Sequence, residues 1–220
     1  MTIDFSTTAL LLVDLQNDFC PGGALAVKSG DEVVEPLNKL AGLFSRMGGR
    51  VIATQDWHTS NHISFASSHP DKKPGDIIKL PTVREQILWP DHCVQGTEGA
   101  KFHSKLNLDL VHLIIRKGYT WELDSYSVFY ENDKKTPTGL DGFLKNLRIK
   151  TVFMGGLATD YCIFYSAMDA AYYGFETFII WDAVRGIDYP RGSIESAIEA
   201  MKLSGIRIIN SSNIERDNPS

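Results

Sequence analysis

The 220-residue chain has an ordinary globular composition, with 43% hydrophobic and 22% charged residues, and its length suits one α/β domain. A formal net charge of −5 argues against a broad surface for nucleic acid or anionic membranes, and we expect neither as a partner. The N-terminal segment lacks the features of a signal peptide, and nothing approaches the roughly 18 apolar residues of a membrane helix. Because three cysteines are too few for a disulfide framework, we expect a cytoplasmic protein with reduced thiols.

Apolar runs and amphipathic segments alternate along the chain. The predicted strands cover residues 7–16, 50–58, 110–118, 150–158, 176–184 and 206–210, and the predicted helices cover 31–49, 140–148, 160–174 and 191–205. This alternation implies right-handed βαβ crossovers. The sequence therefore predicts one α/β domain over residues 1–220, an open, doubly wound, mainly parallel sheet with helices on both faces.

The periodicity fails between about residues 59 and 99, where serine, proline, aspartate, glycine and histidine dominate. Loops of this length are uncommon inside a compact domain and are usually functional. We therefore predict a long loop or small subdomain inserted at this point, and whether it acts as a lid is left open by the sequence.

Reactive side chains follow four of the predicted strands. They comprise two carboxylates, an imidazole, an amine and a thiol: Asp14, Asp56, His58, Lys117 and Cys162. Ligands of open α/β sheets bind outside the carboxyl ends of the strands. We expect these five side chains to meet at that edge.

Cys162 lies where an apolar strand ends and a helix begins, with Thr159 as a candidate N-cap. Free backbone amides and the positive end of the helix dipole would lower the pKa of its thiol and could hold an oxyanion. The alternative is a small hydrophobic residue in a core helix. If Asp14 is buried it needs a partner, for which Lys117 is the natural candidate, and the three residues then suit the roles of base, charge stabiliser and nucleophile.

Asp56 and His58 are two residues apart, so in an extended segment both side chains point the same way. A carboxylate oxygen and an imidazole are the beginning of a divalent metal site. From spacing alone the third ligand stays open among four histidines: His62, His69, His92 and His103. Each of them could equally lie in a surface loop.

Five segments together resemble the isochorismatase-like cysteine hydrolase superfamily, and within it the nicotinamidases. They are "LLLVDLQNDFCPGGALAV", "ATQDWHTSNHISF", "WPDHCVQGTEGA", "IIRKG" and "GGLATDYCIFYSAMDA", and the similarity runs in the family's order from about residue 8 to 209. The resemblance implies the isochorismatase-like, Rossmann-like three-layer fold. It also implies hydrolysis of nicotinamide to nicotinate and ammonia through a cysteine thioester, in NAD salvage, with pyrazinamide as a further substrate.

The resemblance also implies roles for individual residues. The catalytic triad matches Asp14, Lys117 and Cys162. The protein ligands of one divalent ion, zinc with iron or manganese as alternatives, match Asp56, His58 and His92, and some relatives have a fourth ligand at the position of His62.

The remaining matches concern the oxyanion and the substrate ring. Leu157-Ala158 matches a cis peptide bond in the family, which turns the amides of Ala158 and Cys162 toward the oxyanion. Residues that line the pocket around the pyridine ring match Phe19, Trp89 and Tyr126.

Other enzymes of the superfamily, and a binding protein without activity, are alternatives to a nicotinamidase. N-carbamoyl amidases and ureidoacrylate hydrolases keep the triad but generally lack the metal site, whereas isochorismatases lack the nucleophilic cysteine. A binding protein could retain the fold without turnover. The filled triad and ligand positions favour the nicotinamidase, and the sequence leaves a homo-oligomer open.

Overall fold

A computed structural model describes residues 2–81, 83 and 85–217 of the chain. Thr82 and Arg84 of the predicted insertion, and Met1 and residues 218–220 of the predicted domain, lie outside the described residues. The strands are β1 (Thr8–Val13), β2 (Arg50–Asp56), β3 (Ile77–Ile78), β4 (Gln86–Ile87), β5 (Leu113–Lys117), β6 (Thr151–Leu157), β7 (Glu176–Arg185) and β8 (Arg207–Ile209). The helices are α1 (Val34–Arg46), α2 (Leu140–Asn146), α3 (Phe164–Tyr172), α4 (Ser193–Leu203) and α5 (Ser211–Asp217).

Six strands form the central sheet in the order β5-β2-β1-β6-β7-β8, and every neighbouring pair is parallel. All six residues of β1 are buried, as expected for an inner strand covered on both faces. This explains the continuous apolar run "TALLLV" and confirms the predicted fold class.

The core lies on both faces of this sheet. Because successive side chains of a strand point to opposite faces, Leu10 and Leu12 of β1 pack in the same cluster as Leu37 of α1. Leu11 packs on the other face in a cluster that contains Ala167 of α3. Among the described helices, none has the length and apolar character needed to cross a membrane.

Two features of the fold differ from the sequence prediction. The long insertion carries a short antiparallel hairpin of β3 and β4, which two-residue strands do not reveal by periodicity. Helix α5 was not predicted, because its sequence "SSNIERD" has a single apolar residue, Ile214. The carboxylate of Asp182 instead holds its first turn by accepting hydrogen bonds from the amide of Ser211, at 2.8 Å, and from its hydroxyl.

Candidate active site

Lys117 is the centre of the residues predicted at the sheet edge. Its Nζ lies 3.0 Å from Asp14 Oδ2 and 3.4 Å from Cys162 Sγ, and it also donates a hydrogen bond to the Asp56 carboxylate. The sheet register produces part of this arrangement, because Asp56 pairs directly with Lys117 across β2 and β5. Burial opposes the charge of Lys117, but the carboxylates of Asp14 and Asp56 outweigh it and hold the pKa of the amine well above its usual value. The amine is therefore a fixed cation beside the thiol.

Asp14 follows β1 with a left-handed backbone and is fully buried. Its Oδ1 accepts a hydrogen bond from the hydroxyl of Thr54 at 2.5 Å. Its Oδ2 accepts no hydrogen bond from the described residues. Burial raises the pKa of this carboxyl group, against the opposing effect of Lys117. Asp14 Oδ2, which is paired with the Lys117 ammonium at 3.0 Å, is the oxygen suited to taking up a proton.

Cys162 lies in a π-helical turn, Thr159–Ile163, that precedes α3. The prediction of Thr159 as the N-cap is wrong, because the cap is the preceding residue, Ala158. The carbonyl of Ala158 accepts hydrogen bonds from the amides of Tyr161 and Ile163, both at 3.1 Å. The predicted low thiol pKa is also wrong. Burial raises the pKa of Cys162 well above its usual value, although Lys117 opposes this effect. The resting thiol is therefore protonated and needs a base before it can react.

The strand that leads to Cys162 passes very close to β1. Gly156 has φ of 130°, and a Cβ at this position would collide with the backbone of Val13. Only glycine fits this approach. The Leu157–Ala158 peptide bond that follows is cis, as the resemblance implies.

Asp56, His58 and His92 form a group whose candidate ligand atoms all lie within 4.8 Å of one another. The Nε2 atoms of His58 and His92 lie 3.6 Å and 3.8 Å from Asp56 Oδ2. The Nδ1 atoms of both rings are 2.8 Å from backbone carbonyls, of Gly118 and Pro90. Because a carbonyl only accepts, Nδ1 carries the proton and Nε2 offers its lone pair to the group. This donor set fits a divalent metal ion.

The other candidate histidines lie elsewhere. His62 has Nδ1 at 2.7 Å from Ser64 Oγ and Nε2 at 3.2 Å from the carbonyl of Leu123, and it groups with His58 and Asp124 instead. Burial lowers the pKa of His62 to about 4. His69 is 2.7 Å from the carbonyl of Ile63, and His103 lines a separate surface pocket. Among the described residues, His92 is the histidine that joins Asp56 and His58.

One pocket connects the thiol and the metal-binding group. It contains the nucleophile candidate Cys162, two of the metal-ligand candidates and the three aromatic residues predicted to enclose a ring. The full lining is Phe19, Leu25, Asp56, Trp89, His92, Asp124, Tyr126, Ala158, Tyr161, Cys162 and Ile187. The hydroxyl of Tyr126 accepts hydrogen bonds from Trp89 Nε1 at 3.1 Å and from Gln86 Nε2 at 3.2 Å. The aromatic wall is therefore braced by the hairpin of the insertion. A flat ring in this pocket would have the thiol and the metal-binding group as neighbours.

Sequence reasoning missed two buried carboxylates of the site. Asp124 lines the pocket, and Asp160 accepts hydrogen bonds from the amides of Ile187 and Asp188, both at 2.9 Å, and from the hydroxyl of Ser193. Asp160 thereby holds the loop after β7, whose Ile187 also lines the pocket. The available signal was position, since Asp124 and Asp160 lie two residues before Tyr126 and Cys162, which the sequence analysis singled out.

Comparison with known proteins identifies the family of this chain. The profile of the Isochorismatase domain matches residues 8–213. The chain belongs to the isochorismatase family. Among isochorismatase-family proteins it is similar to the nicotinamidase of Acinetobacter baylyi, with 47% identity over 206 residues that cover 94% of each protein.

Two solved structures extend the comparison. The nicotinamidase and pyrazinamidase of Acinetobacter baumanii has a TM-score of 0.92 and 47% identity, covering 96% of this chain and 100% of that one. The pyrazinamidase of Pyrococcus horikoshii, solved in complex with zinc, has a TM-score of 0.75 and 36% identity, covering 93% of this chain and 99% of that one. The resemblance to the isochorismatase family predicted from the sequence is confirmed.

Proposed function

We propose that this protein is a nicotinamidase that hydrolyses nicotinamide to nicotinate and ammonia in NAD salvage, with pyrazinamide as a further substrate. The observation that carries the proposal is the opening of Cys162, Asp56 and His92 into one aromatic pocket. The similarity to proteins named nicotinamidase and pyrazinamidase supports it.

The first half of the reaction follows from the positions of the triad. Asp14 Oδ2 takes the proton from Cys162 Sγ, and Lys117, 3.4 Å from the sulfur, stabilises the thiolate. The thiolate attacks the carboxamide carbon, and the carbonyl electrons move onto oxygen. We assign the oxyanion to the backbone amides of Ala158 and Cys162.

The second half returns the site to its starting state. Asp14 gives the proton to the departing amide nitrogen, which leaves as ammonia, and the acyl group remains on Cys162 as a thioester. Asp14 then takes a proton from water, whose oxygen attacks the thioester carbon. The thiolate is expelled, and Asp14 returns the proton to Cys162 Sγ. The product leaves as nicotinic acid, whose proton passes to ammonia to give nicotinate and ammonium, so atoms and charge balance over the cycle.

In the same proposal, Asp56, His58 and His92 hold one divalent ion, zinc with iron or manganese as alternatives. An ion held by these residues would supply a Lewis acid for the ring nitrogen of the substrate. Phe19, Trp89 and Tyr126 enclose the ring. The zinc complex of the Pyrococcus horikoshii pyrazinamidase supports the choice of metal.

We further propose that residues 1–220 form one hydrolase domain, in which the insertion at about 59–99 contributes Trp89 and His92 to the site. His62 stays a proposed fourth ligand of the ion, in addition to Asp56, His58 and His92. A cytoplasmic location is proposed from the three cysteines, each of which is a free thiol.

The proposal is tested by ammonia release from nicotinamide, measured on metal-loaded and chelator-treated protein. We expect release that falls after chelation and returns with zinc, iron or manganese. N-carbamoyl and ureido amides are run in parallel, because amidases of those types keep the triad. Turnover of these amides without turnover of nicotinamide would overturn the substrate assignment.

A further inference from the structure

Asp124 is a buried carboxylate that the triad and the three metal ligands do not use. Its side chain opens into the active-site pocket, together with Asp56 and His92. Its Oδ1 lies 4.0 Å from His58 Nε2, the nitrogen whose lone pair faces the metal-binding group. Asp124 therefore faces the metal site from the pocket.

The hydrogen-bond donors to Asp124 are neutral groups. Oδ1 accepts a hydrogen bond from the amide of Ser125, and Oδ2 accepts one from Gln86 Nε2, both at 2.8 Å. Within the described part of the chain, no lysine or arginine forms an ion pair with it. A basic side chain that faces Asp124 is the imidazole of His58, at 4.0 Å, so a cation held by His58 would offset the charge of this buried carboxylate.

The charges around Lys117 indicate the same deficit. Asp14, Asp56 and Asp124 are all buried in this region, and among the residues that the structure describes Lys117 is the ammonium group that contacts them or their neighbours. These carboxylates, with the buried carboxyl group of Glu131 beside Gly118, outnumber the ammonium group. A bound divalent cation would offset the excess of negative charge.

We propose that Asp124 is the second carboxylate of the metal centre and raises its affinity for a divalent ion through its charge. This inference rests on the proposed divalent ion at Asp56, His58 and His92. The proposed effect on this ion is one of charge, because Asp124 lies outside the group of Asp56, His58 and His92 and is grouped with His58 and His62 instead. Groups outside the ligand set commonly change metal affinity by about 10- to 100-fold.

The test measures zinc affinity by competition with a fluorescent chelator, in the absence of any substrate. Asp124→Asn removes the charge and keeps the side-chain shape, and we expect it to weaken zinc binding at least fivefold. Gln86→Ala removes the hydrogen-bond partner and keeps the charge, so it should weaken binding less. Because no turnover is measured, failure here is distinguishable from failure of the nicotinamidase assignment.

A second matched pair covers the case in which Asp124→Asn does not fold. The side chains introduced by Asp124→Glu and Asp124→Gln have the same length and differ in charge. The glutamate variant should bind zinc at least fivefold more tightly than the glutamine variant. Losses smaller than fivefold in the neutral variants would overturn the proposal. An equal loss in Gln86→Ala would also overturn it, because Asp124 would then act as an anchor for the hairpin.

Discussion

Lys117 Nζ lies 3.0 Å from Asp14 Oδ2, yet that oxygen accepts no hydrogen bond of good geometry from the described residues. The ion pair holds the carboxylate in place and leaves one oxygen able to accept a proton. Cys162 Sγ is 3.4 Å from the same amine. This arrangement suits proton transfer from a protonated thiol to Asp14, with Lys117 stabilising the thiolate that results.

Asp14→Asn tests Asp14 as the base. The amide keeps the size of the side chain and an oxygen for the Thr54 hydroxyl, but it cannot take up the thiol proton. We expect kcat for nicotinamide to fall by about 10²- to 10⁴-fold, with metal content and the circular dichroism spectrum unchanged. A fall of less than tenfold would show that another group removes the proton.

Lys117→Met tests the amine as the countercharge of the buried carboxylates. Removing it leaves Asp14 and Asp56 without their ammonium partner, and we expect unfolding free energy to drop by about 3–5 kcal/mol. Urea denaturation of the metal-free protein measures the change. Lys134→Met is the control, because Lys134 pairs with Asp169 near the surface, where such pairs contribute about 0–1 kcal/mol. Equal losses in the two variants would contradict the account.

Glu131 predicts a pH dependence of stability. Burial raises the pKa of this carboxyl group to about 7, with Lys117 lowering it and Asp124 raising it. Since the folded state holds the proton more tightly than the unfolded chain, Glu131 stabilises the fold least above pH 7. Glu131→Gln should therefore raise unfolding free energy relative to the parent by about 2–3 kcal/mol at pH 8 and by much less at pH 5.

Urea denaturation at both pH values measures this difference. Glu122→Gln is the control, because Glu122 is exposed in the same segment of the chain. A gain from Glu131→Gln that is the same at both pH values would contradict the expected titration.

Asp160→Asn tests the anchoring of the loop that carries Ile187. The amide replaces one accepting oxygen by a donor, so the three hydrogen bonds to Asp160 cannot all form. We expect KM to rise several-fold with kcat little changed, because Ile187 lines the pocket without contributing to the triad. Asp182→Asn is the control, since Asp182 holds α5 in a similar way and does not line this pocket. A matching KM increase in both variants would contradict the anchoring role.

The sheet and the reacting groups could be predicted because both depend on local sequence. A continuous apolar run identified β1, and the carboxyl ends of parallel strands brought Asp56 and Lys117 to one edge. The roles of Asp124 and Asp160 depend instead on distant partners, as in the bond from Ile187 to Asp160, 27 residues away. The thiol pKa of Cys162 was mispredicted because depth of burial, the largest cause of its raised pKa, is not visible in a sequence pattern.

Cys162→Ala tests most directly the central claim, that Cys162 is the nucleophile beside a metal-organised pocket. Turnover of nicotinamide is measured together with zinc content and nicotinate binding by calorimetry. Cys20→Ala is the control, because it removes a buried thiol that lines a different pocket. We expect turnover to fall by at least about 10⁴-fold in Cys162→Ala, with zinc content and nicotinate binding retained. Turnover within tenfold of the parent protein would contradict the account.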